Sequence, residues 1–180
     1  MTEEQQFIKR LNSKSTKEAA FTELLQLYKE RLYWHIRHIV KSHEDADDVL
    51  QNTFIKVYRN IDKFKGDSKL YSWMYRIATN ESITHINKNS KRMQLSSEEY
   101  QNKAINNLQA DIYFEGDEFQ IQLQKAIATL PEKQQLVFNM KYFEDIKYKD
   151  MSEILDTSEG ALKTSYHLAV KKIEAFLTKD

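Results

Sequence analysis

Apolar residues recur at three- and four-residue steps along most of this chain, the spacing of helices with one buried face. Between Lys17 and Val40 the stripe is Phe21, Leu24, Leu25, Tyr28, Leu32, Ile36 and Ile39. A second helix begins near "SHEDADD". Ser42 is placed to cap it, and Glu44, Asp45, Asp47 and Asp48 crowd a first turn where the helix dipole favours acids. Its stripe is Ala46, Val49, Leu50, Thr53, Phe54, Val57, Tyr58 and Ile61. "KFKGDS" breaks the pattern at Gly66, and a third helix then runs to about Asn87. From Asn89 to Gly116 the period fails in a polar, acidic stretch, which predicts a flexible linker with room for a short helix. Helical spacing resumes near Glu118 with Ile121, Ala126, Ile127 and Leu130, and restarts at "LPEKQQ" with Pro131 in a first turn. Two more helices are predicted over 148–155 and 159–177. Strand-like alternation is missing, and three glycines with one proline allow few tight turns. The fold class is all-α: two small helical domains joined by a flexible acidic linker.

The 180 residues, 41% hydrophobic and 30% charged, suit a globular chain with room for one medium or two small domains. There is no cysteine, which excludes disulfides, thiolate metal sites and a cysteine nucleophile, and suits a reducing cytoplasm. "MTEEQQFIKR" is too acidic for a signal peptide, and no run of about 18 apolar residues offers a membrane span. The expectation is a soluble cytoplasmic protein with no direct membrane insertion.

A formal net charge of zero hides segregation. Lys56, Arg59, Lys63, Lys65, Lys69, Arg76, Lys88, Lys91 and Arg92 outweigh Asp62, Asp67 and Glu81. From Met93 to Gln120 the acids dominate, with Glu98, Glu99, Asp111, Glu115, Asp117 and Glu118 against Lys103. Local fields reach about 8–10 Å, so the basic stretch suits a polyanion; ordinary solvated helix faces would look the same.

Two stretches carry chemistry. "KLYSWMYRIATNESITHINK" sets Leu70, Trp73, Met74 and Ile77 on one stripe, with Ser72, Arg76 and Asn80 to one side and Tyr71 and Tyr75 to the other. Aromatic faces, amides and cations at this spacing suit unstacked bases of a single strand, although the aromatics could equally fill a core. "YKDMSEILDTSEGALKTSYHLAVKKIEAFL" has the arithmetic of a helix-turn-helix. Ser158 caps its second helix. Leu162, Tyr166, Ala169 and Ile173 face inward, while Lys163, Thr164, His167 and Lys171 face out, as a helix in a major groove requires. A plain helical hairpin would show the same division. Glycine-rich phosphate loops and H-E-x-x-H are missing, and His35, His38 and His43 lack paired carboxylates in sequence. No catalytic residue, metal or cofactor is expected.

In order and separation, "DADDVLQNTFIKVYRNIDKFKGDSKLYSWMYRIATNESITHINK" followed by "LPEKQQLVFNMKYFEDIKYKDMSEILDTSEGALKTSYHLAVKKI" resembles the extracytoplasmic-function (ECF) sigma factors of bacterial RNA polymerase. The resemblance implies sigma region 2 over 15–92, a linker over 93–117 and sigma region 4 over 118–177. It implies a non-catalytic specificity subunit whose partners are core RNA polymerase, at its clamp helices, promoter DNA (duplex −35 and melted −10) and an anti-sigma factor. Residue by residue, it places Asp48, Gln51, Asn52 and Phe54 on the polymerase. Phe64, Lys65, Ser68, Lys69, Tyr71, Trp73, Arg76 and Asn80 fall on the −10 strand, and Lys163, Thr164, Ser165, His167 and Lys171 on the −35 duplex. Where the family often carries arginines on the last helix, this chain has Ser165, Leu168 and Val170, which implies a shallower salt dependence. An ordinary helix-turn-helix regulator would account for the C-terminal block and leave "FKGDSKLYSWMYRIATN" without a purpose.

Overall fold

The computed structural model describes residues 1–111 and 114–179; linker positions 112 and 113 lie outside the described residues. Among the described residues the regular structure is helical, without strands. The first predicted helix is α2 (Lys17–Val40), and the second is α3 (His43–Asn60), capped by Ser42 Oγ, which accepts from the Asp45 N–H at 3.1 Å. A 3₁₀ turn (Ile61–Lys63) and the loop at Gly66, whose φ of 76° suits a residue without Cβ, lead into α4 (Leu70–Arg92). This helix outruns the expected end near Asn87 by more than a turn.

One helix was not anticipated, and a second is the short helix for which the linker had room. The N-terminal α1 (Glu3–Asn12) closes a capping box between Thr2 and Gln5. Within the expected linker, α5 (Ser97–Asn106) does the same with Ser96 and Glu99, and a 3₁₀ turn (Leu108–Ala110) follows. Tyr100, Ile105 and Leu108 are buried, so this part of the connection packs against the helices it joins. Residues 111 and 114–117 lie outside any helix.

The C-terminal part comprises α6 (Glu118–Ala128), α7 (Glu132–Tyr142), α8 (Tyr148–Leu155) and α9 (Glu159–Leu177). Pro131 fixes the backbone just before α7. Asp156 turns α8 into α9 in the left-handed region, φ 50°, and Ser158 Oγ caps α9 by accepting from the Ala161 N–H.

α2, α3 and α4 form a bundle around Leu24, Leu32, Ile36, Val49, Val57, Met74 and Ala78. α7 packs on α2 and α8 on α4, so Leu136, Val137, Met140, Met151, Ile154 and Leu162 join that same cluster. A second cluster holds α6, α7 and α9 together through Leu123, Ala126, Ile127, Phe138, Ala169 and Ile173. Each fully buried aliphatic contributes about 1.5–3 kcal/mol relative to exposure, so the seam between the two halves is a genuine core. No helix among the described residues is long and apolar enough to cross a membrane.

Candidate nucleic-acid and partner interfaces

Three surfaces carry the residues singled out above. The first is a groove of about 930 Å³ between α2 and α3, lined by Leu25, Gln26, Lys29, Asp48, Gln51 and Phe54 among others. Helical spacing puts Asp48 and Gln51 side by side on the exposed edge of α3, while Phe54 sits inward at 8% exposure and floors the groove. Asn52 is exposed but outside its lining.

The second surface lies where the Gly66 loop meets α4. Phe64 is buried with its ring 5.2 Å from that of Trp73. Around the pair, Lys63, Lys65, Ser68, Ser72, Arg76 and Glu153 close a pocket of about 360 Å³. Thus Phe64, Lys65, Ser68, Trp73 and Arg76 share one cavity, while Lys69, Tyr71 and Asn80 do not line it. Asn80 is exposed on the next turn of α4 and borders a separate cleft with Arg76 and Thr79. Tyr71 turns to the other side, against Tyr75 and beneath the Arg31 guanidinium. Burial pushes the Tyr71 phenol up to about 12, with Arg31 opposing, and Tyr75 moves in the same direction for the same reason.

Residues of the C-terminal half meet this surface. Lys69 Nζ donates to Asp150 Oδ1 at 2.8 Å, and that carboxylate raises the lysine's pKa. Arg76 donates to the Glu153 carbonyl. Deeper in the seam, His35 is 1% exposed, with Nδ1 2.9 Å from Glu144 Oε1 and Nε2 2.7 Å from Thr79 Oγ1. Burial alone would raise the Glu144 carboxyl, but His35 and His38 hold it down at about 2. Burial lowers His38, with Glu144 opposing, and its ring stacks on Phe143. Asn139 Nδ2 donates to the His38 carbonyl. His43, the third histidine, pairs with Asp47 one turn along α3. Glu144, Asp150 and Glu153 escaped the sequence reading. Their signal was present as an acidic spacing in "EDIKYKDMSE", but nothing local says which lysine or arginine an acid will meet.

The third surface is the outer face of α9. Lys163, Thr164, His167 and Lys171 are exposed, and Thr164 Oγ1 donates back to the Gly160 carbonyl. Ser165 differs: three residues from Leu162 and four from Ala169, it lies half-buried on the inward side.

Residues 24–92 match Sigma-70 region 2, and residues 120–173 match Sigma-70, region 4. The ECF RNA polymerase sigma factor SigW of Bacillus subtilis is 30% identical over 156 residues, covering 82% of this chain and 83% of that protein. The ECF RNA polymerase sigma-E factor of Haemophilus influenzae is 28% identical over 163 residues, 86% of each chain. Two solved structures share the fold. CnrH in complex with the cytosolic domain of CnrY has a TM-score of 0.68 at 18% identity, over 97% of this chain and 96% of that one. The sigma factor RpoE in complex with the anti-sigma factor NepR from Bartonella quintana has 0.65 at 19%, over 89% and 98%.

Proposed function

The chain belongs to the ECF sigma factors of RNA polymerase, which act in transcription initiation, and we propose that it divides promoter recognition between its two halves. Region 2, over 15–92, docks on the polymerase clamp helices through Asp48, Gln51, Asn52 and Phe54. It takes the melted −10 strand on Phe64, Lys65, Ser68, Lys69, Tyr71, Trp73, Arg76 and Asn80. Region 4, over 118–177, lays α9 in the −35 major groove through Lys163, Thr164, His167 and Lys171, with Ser165 supporting from the inward side. Residues 93–117 connect them. The chain works in the cytoplasm as a non-catalytic specificity subunit. An anti-sigma factor is a further partner; a sigma factor of this fold, RpoE from Bartonella quintana, is found in complex with the anti-sigma factor NepR.

The observation that carries this reading is the aromatic and cationic pocket of Phe64, Lys65, Ser68, Trp73 and Arg76. Extruding one base costs a few kcal/mol, and a stacking face flanked by cations offsets that cost. Neither half needs high affinity alone, because polymerase tethers both and raises the effective concentration for the second contact.

Run-off transcription on a promoter library, with purified core polymerase and with or without this chain, tests the proposal. Chain-dependent starts from a shared two-element motif are expected, and Trp73→Ala should cut opening more than polymerase binding. Equal initiation without the chain would refute it.

A further inference from the structure

We propose that a cavity at the C-terminal end of α2 is a binding site for a small molecule that joins an aromatic ring to a carboxylate or phosphate group. The cavity measures about 690 Å³ and lies between α2, the segment ahead of α6, α6 itself and the end of α7. That size suits a small organic ligand. It shares Tyr33 with the α2–α3 groove and no residue with the pocket at the Gly66 loop, so it stands apart from the promoter and polymerase assignments.

The walls of the cavity are rings. Tyr33, Trp34, Phe114 and Phe143 line it, and the His38 imidazole stacks on Phe143 with centroids 4.6 Å apart. Gly116 holds Phe114 in place, because a Cβ on that glycine would collide with the Phe114 ring.

The floor is cationic. Arg37 and Lys41, one helical turn apart on α2, line the cavity at 6% and 3% exposure. Arg37 donates from Nη2 to Asp111 at 2.7 Å, whereas Nη1 is buried with no hydrogen-bond partner. His38 Nδ1 is also buried and unpaired, with Glu144 Oε1 3.7 Å away and out of hydrogen-bonding reach. Lys41 Nζ donates to Gln124, a neutral amide. Among the described lining residues Glu115 is the one acid, and it is exposed. Burying a cation without an anion beside it is unfavourable, and burial with Arg37 lowers the Lys41 pKa to about 7. An anionic group on this floor would offset both causes and accept from the unpaired donors. Water can satisfy those donors; it cannot cover the rings.

Isothermal titration calorimetry of the full chain at low salt tests the site with 2-naphthoate, naphthalene-2-carboxamide and AMP. The carboxamide matches naphthoate in shape without its charge, and AMP offers a ring with a phosphate. Wild type should bind naphthoate at one site with a Kd of about 1 mM or tighter, and the carboxamide about tenfold more weakly. Lys41→Met removes a floor cation, and Trp34→Ala removes a wall ring that is 43% exposed and so not needed for the core. Each should weaken naphthoate binding about tenfold, with far-UV circular dichroism checking the fold; should Lys41→Met unfold, Trp34→Ala decides. Lys163→Met on α9 should leave binding unchanged. AMP binding with the same losses assigns the anion as phosphate, and naphthoate binding alone assigns it as carboxylate; either result supports the site. Failure of both anions to bind overturns it. Equal affinity for naphthoate and its amide does so as well, since the cavity would then be a plain apolar slot. Unchanged binding in Trp34→Ala, or an equal loss in Lys163→Met, would place the anion on diffuse surface charge instead.

Discussion

Lys41 ends α2 in the left-handed region, φ 71°, with its side chain 3% exposed and its Nζ donating to Gln124 Oε1 at 2.7 Å. Desolvation, reinforced by Arg37, lowers its pKa from 10.5 to about 7. That fall corresponds to about 5 kcal/mol at about 1.4 kcal/mol per tenfold. Above pH 7 the folded chain has released the proton while the unfolded chain keeps it up to about 10.5. Stability therefore rises with pH across that window, by about 2 kcal/mol between pH 7 and pH 9. In Lys41→Met the amine is gone and the length is kept. The orphaned Gln124 oxygen costs about 1 kcal/mol at any pH, so it cannot mimic a slope. Urea denaturation of both proteins at pH 7, 8 and 9 measures the difference. The variant's stability relative to wild type should fall by about 2 kcal/mol across the series as the lysine ceases to burden the wild type. A constant difference would refute the argument, because Lys41 would then be charged or solvated in the folded chain.

Two further outcomes follow from local geometry. Asp45 accepts from the Tyr100 hydroxyl at 2.9 Å and pairs with His85; burial opposes, yet these partners and Ser42 lower its pKa. Its stabilisation is thus present above the ordinary carboxylate range and lost as pH falls. Asp45→Asn should cost about 2 kcal/mol at pH 7 and flatten the loss of thermal stability below about pH 4, where the native carboxylate would otherwise be titrated; an unchanged acid slope would contradict it. Lys163→Ala should make the salt dependence of −35 duplex binding shallower by about 0.9 in log–log slope, measured by anisotropy at several salt concentrations, and an unaltered slope would place Lys163 off the phosphates.

The bundle helices were legible because each buries one stripe. Lys17–Val40 could be read directly, and the caps at Ser42 and Ser158 held the right N–H groups. The overlooked α1 and the unplaced short helix of the linker, α5, had signals in the same alphabet, since "TEEQ" and "SSEE" both spell a capping box; neither supplies a long apolar stripe. What α1 does was beyond local reading. α4 begins with no cap of its own, and Glu4 from α1 reaches the Leu70 N–H at 2.8 Å, a pairing 66 residues apart that no spacing rule predicts.

α4 itself shows where periodicity stops informing. A single-stripe wheel put Ser72 outside and Tyr75 on a flank, yet Ser72 is 1% and Thr79 2% exposed, and Tyr75 is buried with them. The helix is covered from two directions, by α2 and α3 on one side and by α8 on the other. A face meant for a permanent neighbour would be apolar, and a face meant for water would carry charges with no partners. This one is mixed, and so is its covering: Lys69 meets Asp150, Arg76 meets the Glu153 carbonyl, and Met151 and Ile154 pack in the same cluster as Leu70 and Met74. Such a compromise is costly for packing, since it leaves Ser72 Oγ unpaired. Local rules fail at this helix because it is packed from two sides, by α2 and α3 and by α8, and a single-stripe wheel represents only one.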